Sequence, residues 1–161
     1  MAVEEKQDFF SLSPSQLLSE LRGATMLGVS GAKRWAANQW SEDTFAPKEG
    51  DKEAIVLVQG FGATHHAYYE VAHRLHLATG LGVVFLKVAP NALNLNLGSI
   101  GSMIGILLWE LKRLASLGIE RIFWVGHSLG GIQGCLVKRS MNFELEIAHV
   151  FAVASPVNDT P

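Results

Sequence analysis

The sequence predicts an α/β fold in which a parallel sheet carries helices on both of its faces. From residue 54 onward, short apolar runs alternate with longer segments whose apolar residues recur at helical spacing. Such alternation is typical of βαβ units, whose crossovers place helices above and below a parallel sheet. A serine between glycines follows the third apolar run, and ligand sites of such sheets lie beyond the carboxyl ends of the strands.

Four strands are predicted, each a short apolar run bounded by glycine, proline or polar residues. They lie at 54–59, 82–88, 121–126 and 147–153. The first run begins Ala-Ile-Val-Leu-Val, and continuous apolar residues of this kind are typical of a strand that is buried on both faces.

Helices are predicted between the strands, at 65–79, 99–117 and 129–140. The middle helix has the strongest pattern, because apolar residues recur three or four apart from Ile100 to Leu114 and a glycine follows at 118. A loop is expected at 91–96.

A further helix is predicted upstream, where Ser13 precedes Pro14 as an N-cap precedes the first helical position. The polar stretch 41–51 contains proline and glycine and is interpreted as a linker. Residues 1–50 are therefore assigned to an N-terminal helical extension with its linker, and residues 51–161 to the α/β unit.

The composition excludes several classes of function. The chain has 161 residues and a net charge of −2, which provides no basic surface for nucleic acid. The single cysteine, Cys135, cannot form an internal disulfide and is predicted to be a buried apolar side chain. The acidic N-terminus does not resemble a signal peptide, and no apolar run approaches the roughly 20 residues of a spanning helix. We expect a cytoplasmic protein without a transmembrane segment, whose helical extension still permits contact with a membrane surface.

Residues 126–130, Gly-His-Ser-Leu-Gly, fit the pattern G-x-S-x-G between a strand and a helix. This spacing produces a sharp turn, and the glycines on each side of Ser128 avoid collisions with the strand and the helix. The turn exposes the Ser128 hydroxyl as a nucleophile, and the amide of Leu129 points toward the same place, where it can stabilise an oxyanion. The alternative is a glycine-rich turn in which Ser128 only caps the helix.

A second glycine-bearing loop, Gln59-Gly60-Phe61-Gly62, follows the first strand. The other oxyanion donor of such a site comes from the loop after an earlier strand. The amide of Phe61 is the predicted donor, since Gly60 allows the backbone to turn close to the substrate. The alternative is an ordinary strand–helix turn.

Three stretches resemble the N-terminal half of the α/β-hydrolase fold, most closely that of bacterial lipases and esterases: IVLVQGFG (55–62), WVGHSLGG (124–131) and, less specifically, ASPVNDTP (154–161). The resemblance implies that residues 51–161 form this half-domain and that Ser128 forms an acyl-enzyme. It implies Leu129 and Phe61 as oxyanion donors and a small-molecule or lipid ester as substrate, with no cofactor. Gln59 stands where the family usually has histidine, and its amide can still hold the loop.

The acid and the histidine of this fold follow the serine along the chain, and no segment for the usual histidine loop is present. We therefore expect a truncated or partial chain that is nearly inactive. His65 or His66 is a candidate for a substitute base and Asp159 for the acid, but loop and turn roles are the stronger interpretation. The other histidines are predicted to pack under the turn (His127), on the outer helix (His73, His76) and in the last strand (His149). No set has metal-ligand spacing, so no metal is expected.

Three functions remain open on the sequence. The first is a lipase-like serine ester hydrolase. The second is a complete short protein that has lost catalysis and acts as a binding or interaction module, with self-association through an exposed sheet edge. The third is an acyltransferase or thioesterase, because transfer and hydrolysis share the same acyl-enzyme.

Overall fold

The computed structural model describes residues 42–88 and 99–155, and it has the predicted α/β architecture. Its strands are β1 Glu53–Val58, β2 Gly82–Phe85, β3 Arg121–His127 and β4 Glu146–Val153. They form one sheet in the order β2-β1-β3-β4, and every neighbouring pair is parallel. The predicted parallel sheet is thereby confirmed. The helix predicted from Ser13, the loop at 91–96 and Asp159 lie outside the described residues.

Three helices connect the strands: α1 Tyr69–Thr79, α2 Ile100–Ser116 and α3 Leu129–Ser140. Two short 3-10 turns, Glu42–Phe45 and His65–Tyr68, precede β1 and α1, so the helix predicted from residue 65 begins with a tighter turn. The side chain of Ser99 caps α2 by accepting a hydrogen bond from the Ser102 amide. None of the helices within the described residues combines the length and the apolar character that spanning a bilayer requires.

Strand β2 is shorter than the predicted run 82–88. Phe85 pairs with Leu57, and the last bond to β1 is donated by the Leu86 amide to the Leu57 carbonyl at 3.2 Å. β1 ends at Val58, where the first loop begins. The residues after β2 therefore have no neighbouring strand with which to form further backbone hydrogen bonds. The strand therefore ends where its partner ends.

The sheet separates two apolar cores, and helices cover both faces. Helices α2 and α3 pack on one core, which contains Val56 and Trp124. Helix α1 and the 3-10 turn Glu42–Phe45 pack on the other, which contains Leu57. Because successive strand residues point to opposite faces, Val56 and Leu57 belong to different cores. Helices on both faces were predicted, and this is confirmed.

The stretch predicted as a linker contributes a core residue. Phe45 is only 3% exposed, and its ring lies 6.0 Å and 6.1 Å from the rings of His73 and His76. These two histidines belong to α1 as predicted, but they are half-buried, because Phe45 packs across them. Proline and glycine marked the turns of this stretch, and its single aromatic anchor was overlooked.

Strand β4 lies at the edge of the described sheet and leaves apolar side chains in solvent. Phe151 is 52% exposed and Val153 is 48% exposed. His149 is exposed beside Phe151, with ring centroids 5.9 Å apart, so it is an edge-strand residue as predicted. Self-association through this edge stays a prediction.

Replacing Leu107 by alanine tests the buried face of α2. Leu107 is fully buried, whereas Leu117 at the end of the same helix is 65% exposed. Leu107→Ala should lower the free energy of unfolding by about 2–5 kcal/mol, because it removes packed atoms and leaves a cavity. Leu117→Ala should change it by about 0.5 kcal/mol or less. Urea unfolding followed by circular dichroism measures both, and equal losses would contradict this packing.

Candidate active site

Ser128 is the residue that joins β3 to α3. Its backbone angles are φ 51° and ψ −117°, a conformation that residues with a side chain rarely adopt. Such strain costs about 1–3 kcal/mol and persists only where the surroundings impose it. The Ser128 amide donates to the carbonyl of Val153 at 2.9 Å, so the neighbouring strand β4 holds the strained residue in place. Ser128 therefore occupies the predicted strand–helix corner.

The two glycines of the pattern leave no room for a side chain at the corner. A Cβ atom on Gly126 would overlap the carbonyl group of Gly130, and one on Gly130 would overlap the carbonyl oxygen of Val58 in β1. These are backbone atoms, which cannot move aside as the end of a flexible side chain can. The close approach of α3 to β1 and β3 thus depends on glycine at both positions.

Trp124 connects α3 to β3 by a hydrogen bond, a role that was not predicted from the sequence. The indole N–H of this fully buried residue donates to the carbonyl of Gly130 at 2.9 Å. A tryptophan in an apolar strand is usually a core residue. A buried indole N–H needs a hydrogen-bond acceptor, and the start of the following helix can supply one. This requirement could have predicted the bond from Trp124 to the first turn of α3.

The Ser128 hydroxyl is not used to cap α3. An N-cap serine ordinarily accepts a hydrogen bond from an amide in the first turn of its helix. Ser128 makes no such bond, and within residues 42–88 and 99–155 its side chain has no hydrogen-bond partner. The side chain is half-buried. The corner therefore presents an uncommitted hydroxyl, which argues against the capping alternative.

Gly60 brings the first loop against this corner. A Cβ atom on Gly60 would lie 2.9 Å from His127 Nδ1 and 3.2 Å from Ser128 Cβ. The amides of Phe61 and Leu129 make no backbone hydrogen bond to any other described residue. The two predicted oxyanion donors thus follow segments that are in contact, and their convergence on one point stays a prediction.

Two side chains of the first loop differ in their burial. Gln59 is 2% exposed directly before Gly60, and its role of holding the loop stays a prediction. Phe61 stands at the tip of the loop and is 69% exposed. The loop therefore begins with a buried polar residue and exposes an aromatic residue at its tip.

Tyr68 links the first loop to the corner, a role that was not predicted from the sequence. Its hydroxyl lies 2.9 Å from Nδ1 of His127 and 3.4 Å from the amide of Gly60. Burial raises the pKa of Tyr68 above its ordinary value of 10.0, against a smaller opposite effect of the Gly60 amide. The ring of His127 packs against that of Tyr68, with centroids 5.8 Å apart, and its packing under the turn stays a prediction. The pair is 59 residues apart in the chain, and no local pattern signals it.

His65 is a core residue. It is 6% exposed, and its ring lies 3.9 Å from that of His66 and 5.8 Å from that of Phe85 in β2. Burial lowers the pKa of His65 from 6.5 to about 4, and the charge of His66 acts in the same direction. A neutral imidazole of such low pKa is a weak base. Its packing favours the structural interpretation over a role as substitute base.

The chain has six histidines, and all of them lie in the described ranges. None is hydrogen-bonded to the Ser128 hydroxyl in those ranges. Likewise, across residues 42–88 and 99–155 no three His, Cys, Asp or Glu side chains form a group that would hold a metal ion. The described corner presents the Ser128 hydroxyl and nearby backbone amides, and no described histidine is hydrogen-bonded to that hydroxyl.

Two further features lie away from the corner. A cavity of about 590 Å³ runs along β2 and α2, with Phe85 and Trp109 among its lining residues, and it includes none of the predicted site residues. Cys135 is half-buried, whereas full burial was predicted. The reason is that α3 turns Gly134 and Val137 toward the core, and Cys135 lies beside that face.

No protein-family model, curated protein or solved structure matches the chain. The resemblance to α/β hydrolases therefore stays a prediction from the motifs.

A side chain at position 126 should destabilise the fold. Gly126→Ala places its Cβ against the backbone of Gly130 and should cost about 1–3 kcal/mol or more of the free energy of unfolding. Gly105→Ala is the matched control, because its Cβ would meet nothing within 4 Å on the exposed side of α2. That change should stabilise by about 0.5–1 kcal/mol. Thermal unfolding compares the two, and a Gly126→Ala protein as stable as the original would refute the close approach.

The low pKa of His65 should make stability depend on pH. The unfolded chain binds a proton at His65 near pH 6.5, whereas the folded protein binds it only near pH 4. The contribution of neutral His65 is complete above about pH 6.5 and is lost as the pH falls toward 4. Urea unfolding from pH 4 to 8 measures the free energy of unfolding of the original protein and of His65→Leu. As the pH falls, this free energy should decrease more steeply in the original protein, and the difference in slope should correspond to at most about one proton. Parallel curves for the two proteins would contradict the burial of a neutral imidazole.

Proposed function

We propose that the protein is a serine ester hydrolase of the lipase or carboxylesterase type, which forms an acyl-enzyme on Ser128. The observation that carries the proposal is the strained backbone of Ser128, at φ 51° and ψ −117°, together with a hydroxyl that does not cap its helix. A serine with only a structural role needs neither feature. A nucleophile at a strand–helix corner needs both, because they hold its hydroxyl away from the helix and toward a substrate.

In the proposed reaction, Ser128 Oγ attacks the carbonyl carbon of an ester, the alcohol leaves, and water then hydrolyses the acyl-enzyme. The negative oxygen that develops on the carbonyl is stabilised by the amides of Leu129 and Phe61. Leu129 begins α3, so the positive end of the helix dipole acts at the same point. The exposed ring of Phe61 supports an apolar acyl group in a small-molecule or lipid ester.

The described part of the site has no histidine in place to act as the general base for Ser128. None of the six histidines is hydrogen-bonded to Ser128 in the described ranges. Loss of a triad member costs roughly 10⁴–10⁶ in turnover in well-studied serine hydrolases. We therefore expect slow turnover and a slow, single acylation of Ser128, which a small external base accelerates.

Covalent labelling tests the nucleophile. The protein is incubated with a fluorophosphonate probe, with and without imidazole, and the labelled peptide is identified by mass spectrometry. We expect one probe per chain on Ser128, formed faster with imidazole because a soluble base takes the hydroxyl proton. Ser128→Ala should abolish the label.

Ser140→Ala is the matched control, because Ser140 lies at the opposite end of α3 and its hydroxyl donates to the Leu136 carbonyl. It should label like the original protein. An unlabelled Ser128 in folded protein, at every imidazole concentration, would reject the hydrolase proposal and favour a binding module. A p-nitrophenyl ester with added alcohol or thiol then separates the remaining chemistries, since acyl transfer to the added nucleophile would indicate an acyltransferase.

A further inference from the structure

The Tyr68 hydroxyl stands between the two segments that carry the proposed oxyanion donors. On one side it contacts the Gly60 amide at 3.4 Å, one residue before Phe61. On the other side it contacts His127 Nδ1 at 2.9 Å, two residues before Leu129. A single phenol oxygen thus touches the neighbours of both donors.

The Tyr68 hydroxyl can be a donor and an acceptor at the same time. The Gly60 N–H donates to the Tyr68 oxygen, because a backbone amide can only donate. The contact to His127 Nδ1 runs in the direction that the His127 tautomer sets, and the tautomer in which Nδ1 accepts gives the Tyr68 O–H a partner in the corner. An imidazole that accepts at Nδ1 carries its own proton on Nε2. Burial raises the pKa of Tyr68, so the phenol keeps its proton at neutral pH.

The peptide unit that contains the Phe61 amide is fixed at its other end. The carbonyl of Gly60 accepts a hydrogen bond from the Ala63 amide at 3.2 Å. In a trans peptide the carbonyl of Gly60 and the N–H of Phe61 point in opposite directions. The Ala63 bond sets the plane of this peptide, and the Tyr68 bond sets the preceding one. Together they determine where the Phe61 N–H points.

The loop approaches the corner closely at Gly60. A Cβ atom added there would lie 3.2 Å from Ser128 Cβ, so only a residue without a side chain fits this approach comfortably. A small rotation of the loop would therefore change the separation of the two amides. Displacements of about 1 Å in a catalytic constellation can cost about 100-fold in rate.

We infer that Tyr68 is a positioning residue, whose hydroxyl holds the 59–62 loop against the His127–Ser128 corner so that the Phe61 and Leu129 amides bind one oxyanion. The inference rests on the proposed function. The ring of Tyr68 packs beside the core that contains Leu57, and phenylalanine would satisfy that packing equally well. The hydroxyl is what the positioning role requires.

Tyr68→Phe removes the hydroxyl and keeps the ring. It should slow the maximal rate of Ser128 labelling by about 10-fold to 100-fold, with little change in the probe concentration that gives half the maximal rate. The maximal rate should change and the half-saturating probe concentration should not, because the oxyanion contact acts in the transition state and not in binding. Both rates are measured in saturating imidazole, so that proton removal is equal in the two proteins.

Tyr69→Phe is the control for loss of a tyrosine hydroxyl. Tyr69 is the next residue and is buried against Phe85 of β2, with ring centroids 5.2 Å apart, and β1 separates β2 from β3 in the sheet. If removal of a tyrosine hydroxyl slowed labelling only because it lowered the stability of the fold, Tyr69→Phe would label more slowly as well. His127→Asn, which keeps an acceptor near the Nδ1 position, should retain more of the rate than His127→Leu. This pair carries the test if Tyr68→Phe does not fold.

Heteronuclear NMR of the histidine ring nitrogens gives a readout that is independent of labelling. His127 should show an unprotonated Nδ1 and a protonated Nε2 in the original protein, and a mixture of tautomers in Tyr68→Phe. A folded Tyr68→Phe protein that labels at the original rate would overturn the inference, and so would an unchanged His127 tautomer. If Ser128 labels in no protein while the tautomer shifts as expected, the link is real and the hydrolase proposal, with the positioning role that depends on it, is rejected.

Discussion

The close approach of the start of α3 to the ends of β1 and β3 is the constraint on which the site depends. Gly130 lies against the Val58 carbonyl of β1, and Gly126 lies against Gly130. With the helix this near, a single residue has to reverse the chain, and Ser128 takes a backbone conformation with positive φ. The same approach brings the Gly130 carbonyl within 2.9 Å of the Trp124 indole. Bonds of this kind each contribute about 1 kcal/mol and oppose the strain at Ser128.

The corner was readable from the sequence because its cause is local. Glycine at 126 and 130 around a serine, between an apolar strand and a helix, fixes a turn through steric exclusion alone. Strand β1 was equally readable, since a central strand of a parallel sheet is apolar at every position. Its bounds were predicted within one residue.

The parts that the sequence did not reveal depend on contacts between distant residues. Tyr68 and His127 are 59 residues apart, and neither stands in a pattern that points to the other. Phe45 is an isolated aromatic residue in a polar stretch, so its burial is decided by the half-buried histidines of α1 beneath it. His65 looked like a loop residue near the site, but Phe85 and His66 enclose it in the core. Propensity and periodicity carry no information about such partners.

The proposed site separates two contributions that serine hydrolases usually combine. In the proposal, stabilisation of an oxyanion is assigned to the backbone amides of Phe61 and Leu129, which do not titrate, and Tyr68 positions the loop that carries one of them. Removal of the serine proton needs a group that titrates near neutral pH, and no described histidine is hydrogen-bonded to Ser128. The two amides themselves are therefore insensitive to pH in the neutral range. Any pH dependence in the reactivity of Ser128 then reports on a group that titrates, which is either the base that removes the serine proton or the imidazole of His127 that the Tyr68 hydroxyl contacts.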